Sequence, residues 1–238
     1  MVVDGREVSW SDRFQTRAQI LTCENCHLHE TCTAPVPMSG KHPSALAVLG
    51  EAPGQEEDAR GEPFVGPAGR TLRAAMRNVG LDPDVFTYLN TVSCYPNRDG
   101  RGRAPMLGEI DACQQNREDQ IRVSGVAWMI LTGNVPLQAY RPDLRIGRAH
   151  GQPILKLGFN KIVMLPVYHP AAVLRNRAWM DAFERDLATF KEMVDRDAWA
   201  WVPVRCVVCG MAEDAMTRLY VDEWAVNYCQ DCDPTTMK

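Results

Sequence analysis

The chain has 238 residues, of which 45% are hydrophobic and 24% charged, and this composition excludes a disordered, collagenous or coiled-coil protein. Its formal net charge of −4 argues against a broadly basic nucleic-acid-binding surface, although arginines cluster locally and local patches decide what a phosphate backbone meets. No apolar run approaches the roughly 20 residues that span a bilayer, and the N-terminus lacks a signal peptide's apolar stretch, so we expect a cytoplasmic protein with no membrane partner.

Turn-rich residues at 33–40 separate a cysteine- and histidine-rich N-terminal segment from the main body of the chain. A second change of composition follows Asp195, where a cysteine-rich tail begins. We therefore divide the chain into a domain at 1–197 and a small module at 198–238. Nine cysteines in a chain expected in the cytoplasm favour metal or cluster ligation over disulfide bonds.

Four short apolar runs between turn signals predict the strands of the main domain, at 45–50, 85–90, 126–132 and 162–167. Runs this apolar are typical of strands covered on both faces, as in a parallel sheet. Helical periodicity between and after them indicates an α/β fold, with three layers (α/β/α) around a central, mainly parallel four-stranded sheet. Ligands of such folds gather at the carboxyl ends of the strands.

Two helices are predicted together with their ends. The first has its apolar residues at i, i+3, i+4 and i+7, namely Leu72, Ala75, Met76 and Val79. Gly80 follows in the position that ends a helix in a left-handed turn. An apolar stripe over 180–194 predicts the second helix, with Asn176 as its N-cap.

Three polar residues follow the predicted ends of different strands. Glu51 lies in a Gly-Glu-Ala-Pro-Gly turn after the first strand, Asn90 ends the second, and His169 precedes a proline after the fourth. A carboxylate there can act on a bound water, an amide can form paired hydrogen bonds, and an imidazole can donate or accept a proton. Alone, the Glu51 segment could be a solvated surface loop, a single histidine is more often structural than functional, and asparagine commonly ends strands.

Taken together, the motifs resemble those of the iron–sulfur (family 4) branch of the uracil-DNA glycosylase superfamily, over about 20–195. The matching motifs are Gly50-Glu51-Ala52-Pro53-Gly54, Glu57-Asp58, Gly61-x-Pro63-Phe64-Val65-Gly66-x-Ala68-Gly69, and His169-Pro170-Ala171 with Leu174-Arg175-Asn176. The resemblance implies a monofunctional DNA glycosylase of base excision repair. Such an enzyme flips uracil out of DNA, hydrolyses its N-glycosidic bond and leaves an abasic site.

The resemblance also implies roles for residues of the base pocket. Phe64 would stack on the flipped base, and Asn90 would read the O4 and N3–H edge of uracil. Ala52 and Glu57 would belong to the same pocket. The division of labour between Glu57 and Glu51 stays open at this point.

Catalysis and DNA contact are assigned in the same way. His169 would donate toward uracil O2 as the leaving base gains charge, and Glu51 would position or activate water. Leu174 would fill the emptied base stack, and Arg175 would contact the DNA backbone. We expect uracil-containing DNA, single- or double-stranded, as the partner and a monomer as the active form.

The loop after Cys94 is rich in arginine, with Arg98, Arg101 and Arg103 expected to contact phosphate. Related members that crosslink to DNA carry a histidine in this loop that attacks the sugar. This loop contains no histidine. We therefore expect hydrolysis with turnover rather than a covalent product.

By the same resemblance, four cysteines would hold a structural [4Fe–4S] cluster: Cys23, Cys26, Cys94 and Cys113. Spacing alone does not show this, because Cys94 and Cys113 are not paired in a diagnostic motif. Cys32 is the main rival ligand, and His27 and His29 are expected to be bystanders.

The tail carries a CxxC–x19–CxxC pattern typical of a zinc site, formed by Cys206, Cys209, Cys229 and Cys232. A segment of about 40 residues cannot build an adequate core alone, so Zn²⁺ would supply much of its folding energy. We expect a zinc-ribbon-like module. Its acidic balance disfavours DNA binding and leaves a protein partner or simple stapling of the chain.

Three other interpretations remain open on the sequence. The chain could be a related glycosylase for other deaminated or damaged bases, a non-catalytic uracil-DNA-binding protein, or an iron–sulfur electron carrier. The presence of Glu51, Asn90 and His169 together favours the enzyme over the binding protein.

Overall fold

A computed structural model describes residues 10–156 and 161–196, together with four short strands outside those ranges. The strands are β1 (Val2–Val3), β2 (Arg6–Glu7), β3 (Ser39–Gly40), β4 (Leu46–Gly50), β5 (Thr87–Asn90), β6 (Asn97–Arg98), β7 (Arg101–Gly102), β8 (Trp128–Thr132), β9 (Ile154–Lys156), β10 (Ile162–Val167), β11 (Leu219–Val221) and β12 (Asn227–Cys229). The helices are α1 (Trp10–Leu21), α2 (Gln55–Arg60), α3 (Pro67–Asn78), α4 (Leu107–Ala112), α5 (Gln114–Ser124), α6 (Asn134–Gln138), α7 (Ile146–Ala149), α8 (Pro170–Arg175) and α9 (Met180–Asp195). Single 3₁₀ turns lie at His27–Glu30, Pro83–Val85 and Arg177–Trp179.

The central sheet has the order β3-β5-β4-β8-β10-β9. The four predicted strands form its middle and run parallel to one another. The prediction of four strands was nevertheless incomplete, because β3 and β9 add an antiparallel strand at each edge. These edge strands have only two and three residues, too short to show an apolar run in the sequence.

Helices cover both faces of the sheet, which confirms the three-layer α/β/α architecture. Alternate residues of β4 face opposite sides: Val48 packs with the α3 and α9 side chains, whereas Ala47 and Leu49 pack with those of α5 and α6. All three are completely buried. Burial on both faces explains why the strands read as continuous apolar runs.

The helix ends match the sequence signals in one case and differ in the other. Helix α3 ends before Gly80, which has the predicted left-handed conformation with φ of 77°. Asn176 caps the 3₁₀ turn at Arg177–Trp179 rather than α9 itself, accepting a hydrogen bond from the Ala178 N–H at 3.2 Å. The predicted helix starts later because the 3₁₀ turn uses the Asn176 cap and then leads directly into α9.

Within the described ranges, none of the helices is long and apolar enough to cross a membrane. Strands β11 and β12 pair antiparallel. The rest of the predicted zinc-ribbon-like module, including Cys206, Cys209 and Cys232, lies outside the described residues.

Candidate active site

Glu51 and Asn90 are brought together by the register of two adjacent parallel strands. Gly50 at the end of β4 lies opposite Asn90 at the end of β5. Beyond this pair, both the N–H and the hydroxyl of Thr91 donate to the Gly50 carbonyl at 2.8 Å, and the Val92 N–H donates to the Glu51 carbonyl at 3.2 Å. The two loops therefore leave the sheet as one hydrogen-bonded unit.

His169 reaches the same edge from β10, across the end of β8. Its imidazole lies against Gly133, where a Cβ atom would come 3.0 Å from the Cβ of His169. Gly133 also has φ of 93°, a left-handed conformation that glycine adopts without strain. Glycine at this position is what lets the histidine approach the neighbouring strand ends.

The hydrogen bonding of His169 determines its tautomer. Its Nδ1 accepts a hydrogen bond from the Ala171 N–H at 3.1 Å at the start of α8. Burial, with a smaller contribution from Arg175, lowers the pKa of His169 to about 4. The imidazole is therefore neutral near pH 7, and its proton is on Nε2, which is a donor.

These groups line one cleft of about 450 Å³ at the carboxyl ends of the strands. The predicted site residues in its wall are Glu51, Ala52, Glu57, Phe64, Asn90, His169 and Leu174. Such a volume is in the usual range for a small-molecule site and exceeds what one nucleobase needs.

Phe64 adopts an unusual backbone conformation in the wall of this cleft. Its φ of 58° is rare for a non-glycine residue and costs roughly 1–3 kcal/mol, which the surrounding contacts must offset. A Cβ at Gly69 would meet the Phe64 carbonyl oxygen at 2.0 Å, and one at Gly50 would meet the Phe64 ring at 2.7 Å. The ring packs 5.5 Å from that of Tyr88. The glycine-rich motif therefore serves to hold this ring in the cleft.

Asn90 presents an amide with free hydrogen-bonding capacity. The residue is 6% exposed, yet no hydrogen bond joins its side chain to any other residue that the structure describes. A Cβ at Gly50 would lie 2.3 Å from its Oδ1, so glycine is required beneath it. Buried amides are usually satisfied, and an amide facing a cleft without a partner indicates a place for a ligand.

Three acids line the cleft. Glu56 is paired with Arg70 at 3.0 Å, and Glu57 and Glu51 have different environments. The carboxylate of Glu57 accepts hydrogen bonds from the Gly54 N–H at 3.2 Å and from the Gly66 N–H at 2.7 Å, joining the two glycine turns. The Glu51 carboxylate has no such bond within the described part of the chain, and burial raises its pKa, with Arg175 opposing the rise. Glu51 is therefore the acid available to a ligand.

Leu174 and Arg175 stand at the rim of the cleft, at the end of the short helix α8. Leu174 is 37% exposed. Arg175 is exposed and close enough to influence the pKa values of both Glu51 and His169.

Comparison with known proteins agrees with this arrangement. A family model described as the uracil DNA glycosylase superfamily matches residues 37–194. The chain belongs to the uracil-DNA glycosylase superfamily. The match spans the cleft from the strand before Glu51 to the helix after His169, so the superfamily that the motifs suggested is confirmed.

Curated relatives within the superfamily cover most of the chain. The type-4 uracil-DNA glycosylase of Archaeoglobus fulgidus is 31% identical over 184 residues, which are 74% of this chain and 89% of that protein. The protein of the same name from Pyrobaculum aerophilum is 32% identical over 177 residues, 72% and 89% of the respective chains. That from Thermotoga maritima is 31% identical over 162 residues, 67% and 82%.

The arginine-rich loop of this superfamily member forms the β6–β7 hairpin. Arg98 and Arg101 are exposed on it and pair across the two strands. Arg103 differs, because its guanidinium forms two hydrogen bonds to the carboxylate of Glu109, at 2.8 and 2.5 Å. The Glu109 side chain is buried, so Arg103 anchors the loop, and only the other two arginines are free to meet a phosphate.

The four cysteines assigned by resemblance lie around one small cavity. Cys23, Cys26, Cys94 and Cys113 all line it. Two N–H groups donate to sulfur there: that of Ser93 to Cys113 at 3.3 Å, and the Asn116 amide to Cys23 at 3.1 Å. Among the described residues, no three His, Cys, Asp or Glu side chains are grouped closely enough to hold a single metal ion.

The neighbouring residues have other contacts. Cys32 does not line the cavity, although its thiol lies beside that of Cys94. The His27 Nε2 contacts Glu109 at 2.9 Å, and the His29 Nδ1 lies 2.6 Å from the Cys26 carbonyl oxygen. Burial raises the pKa of the Cys94 and Cys113 thiols.

Sequence reasoning missed two groups near the site. Arg117, only 3% exposed, donates to the carbonyl of Thr91 at 3.3 Å and so supports the loop between Asn90 and Cys94. An aromatic stack includes Tyr168, directly before His169, and Trp179. An arginine inside a largely polar helix such as α5 gives no sequence signal of its burial. A tryptophan that closely follows Arg175 and Arg177 was a signal that could have been used.

Proposed function

We propose that this protein is a uracil-DNA glycosylase that everts uracil from DNA and hydrolyses its N-glycosidic bond. The observation that carries the proposal is the convergence of Glu51, Phe64, Asn90 and His169 on one cleft. An acid, an aromatic face, an unpaired amide and a neutral imidazole donor are the groups that this reaction needs. The activity stated in the names of the relatives points the same way.

Base recognition rests on Phe64 and Asn90. The everted base stacks on the Phe64 ring, which offsets part of the few kcal/mol needed to unstack it from the duplex. The amide of Asn90 donates to uracil O4 and accepts from N3–H. Cytosine presents a donor and an acceptor in the reverse order, so it leaves both amide groups unpaired in a buried place.

Catalysis divides between His169 and Glu51. The bond between C1′ and N1 breaks, and its electron pair leaves with the base, where the neutral His169 donates a hydrogen bond to O2 as negative charge develops. A water oxygen bonds to C1′, and the proton it loses is accepted by the Glu51 carboxylate, whose raised pKa makes it a stronger base. The released uracil anion takes a proton from solvent.

Glu57 acts as a positioning residue rather than a second base. Its two oxygens hold the N–H groups of Gly54 and Gly66, which lie on either side of the segment that carries Phe64. Ala52 forms part of the wall beside Glu51. The different hydrogen bonding of Glu57 and Glu51 supports this division of roles between the two acids.

DNA contact involves the rim of the cleft and the β6–β7 hairpin. Leu174 fills the gap left by the base and Arg175 contacts the backbone.

Replacing both Arg98 and Arg101 by alanine should weaken DNA binding at low salt and reduce the slope of log K against log[salt] by about two. DNA affinity is measured by fluorescence anisotropy over a salt series. The control is R60A, which removes an exposed arginine of α2. An unchanged slope would remove the hairpin from the interface.

A direct test of the activity is uracil release from a labelled oligonucleotide, scored after alkaline cleavage of the abasic site. We expect release by the purified protein and a loss of about 10²-fold or more with Glu51→Gln, because water then lacks its base. Glu62→Gln removes an exposed carboxylate from the same loop region and should leave release unchanged. Absence of release by the metal-loaded wild type, on single- and double-stranded DNA, would reject the proposal.

The four-cysteine cavity fits a [4Fe–4S] cluster, held by Cys23, Cys26, Cys94 and Cys113. Four thiols with N–H donors directed at two of the sulfurs form a suitable set of ligands. The cluster would supply a covalent tie between the N-terminal segment, the loop after Asn90 and the start of α5. Its role in this proposal is structural.

In the tail, the spacing of Cys206, Cys209, Cys229 and Cys232 supports one Zn²⁺ in a zinc-ribbon-like module.

Metal analysis should find about four iron atoms and one zinc atom per chain. Cys113→Ser should remove iron and keep zinc, whereas Cys209→Ser should do the reverse. Zinc that is lost with Cys113→Ser, or iron that survives it, would contradict the two assignments.

A further inference from the structure

Three rings form a continuous stack beside the cleft. The ring centroids of His150 and Tyr168 are 4.4 Å apart, and those of Tyr168 and Trp179 are 4.9 Å apart with only 17° between the planes. Tyr168 is thus sandwiched, and it directly precedes His169 in the chain. The last ring, Trp179, is 38% exposed although Tyr168 covers one of its faces.

The stack is anchored at its inner end. The His150 Nδ1 lies 2.9 Å from a carboxylate oxygen of Asp186, which is itself 6% exposed. A Cβ at Gly151 would come 2.5 Å from the other oxygen of Asp186, so the chain packs tightly there. Trp179 therefore stacks on a ring whose other neighbour is anchored, and an aromatic ring that is already oriented loses little entropy on binding.

Trp179 also lies on the segment that carries the Leu174 side chain. The backbone from α8 to the 3₁₀ turn is compact, with hydrogen bonds from the Asn176 N–H to the Ala172 carbonyl at 2.9 Å and from the Trp179 N–H to the Asn176 carbonyl at 3.1 Å. Every residue from 174 to 179 is exposed. Arg175 and Arg177 are among them, so the aromatic face is accompanied by two positive charges.

From this arrangement we propose that Trp179 is a stacking platform for a nucleobase next to the everted uracil on the same strand. This inference rests on the proposed glycosylase function and assigns a second base subsite to it. The base would become the fourth member of the His150–Tyr168–Trp179 stack, while the arginines contact the adjoining phosphates. An aromatic face flanked by arginines suits single-stranded nucleic acid better than a protein surface, because every base has a π-face and every linkage a negative charge.

The test is a double-mutant cycle between the protein and the DNA. The oligonucleotides are single-stranded and carry 2′-fluoro-2′-deoxyuridine, whose glycosidic bond resists hydrolysis. At each of the two nucleotides on either side, the natural base is compared with an abasic tetrahydrofuran nucleotide. Dissociation constants are measured by anisotropy for wild type, W179A, W179F and the control F14A, which removes another exposed aromatic side chain, on α1.

We expect one neighbouring position at which loss of the base weakens wild-type binding about tenfold. W179A should bind the intact strand about tenfold more weakly and lose nothing further when that base is removed. W179F should keep most of the coupling, because a phenyl ring still stacks, and F14A should behave as wild type.

The platform is rejected if, at all four positions, base removal weakens wild-type and W179A binding by factors that differ less than twofold. If W179A fails to fold, the wild-type series alone provides the test. Wild-type affinity that does not change when any neighbouring base is removed also rejects the platform. Uracil release from an ordinary deoxyuridine strand is measured with the same preparations. Release without coupling rejects only the platform, whereas no release rejects the glycosylase proposal itself.

Discussion

Replacing His169 by alanine is expected to lower kcat for uracil release by about 10²–10³-fold. The neutral imidazole donates from Nε2 because its Nδ1 is occupied by the Ala171 N–H. A donor aimed at the leaving base acts mainly in the transition state, where O2 carries the most charge. KM for DNA should therefore change much less than kcat.

Two further measurements separate this role from a structural one. His169→Gln retains an N–H donor of similar reach and should recover part of the lost rate. The titration of His169 should cause no rise or fall of the wild-type kcat between pH 5 and 8, because burial holds its pKa at about 4. A rate that rises as this imidazole becomes protonated near pH 6.5, or a His169→Ala variant with normal kcat, would contradict the neutral-donor mechanism.

Replacing Asn90 by aspartate is expected to lower uracil release by at least about 10²-fold and to reduce the preference for uracil over cytosine by a larger factor. The carboxylate still accepts from uracil N3–H, but it repels O4, to which the amide donated. For cytosine, the same carboxylate can accept from the exocyclic amino group. The measurement is the ratio of kcat/KM on matched uracil and cytosine strands.

The matched control for this charge is Asn78→Asp, which introduces a carboxylate on the exposed end of α3, outside the cleft. Its uracil-to-cytosine ratio should equal that of the wild type. An Asn90→Asp variant that keeps the wild-type ratio would show that another group reads the base.

The parts of the fold that the sequence predicted are those where local pattern and tertiary environment agree. The run at 162–167 is completely buried and became β10 with the same bounds, and Gly80 ended α3 because its conformation is left-handed. The convergence of Glu51, Asn90 and His169 on one edge agrees with the expectation that ligands gather at the carboxyl ends of parallel strands.

The remaining features depend on contacts between distant segments. The edge strands β3 and β9 exist only because the sheet offers them a partner. The sequence does not distinguish Arg103 from Arg98 and Arg101. The difference arises because the Arg103 guanidinium donates to the carboxylate of Glu109, six residues further along. Likewise, the role of Glu57 appears only when the two glycine turns that it joins are in place.

The most direct test of the central claim is a crystal structure of the protein bound to DNA that contains 2′-fluoro-2′-deoxyuridine. We predict an everted uracil stacked on Phe64, with its O4 and N3–H edge on the Asn90 amide and its O2 within hydrogen-bond distance of His169 Nε2. Glu51 should face the C1′ atom through a water molecule. A uracil that stays in the helix, or lies outside the cleft with Asn90 and His169 unpaired, would contradict the account.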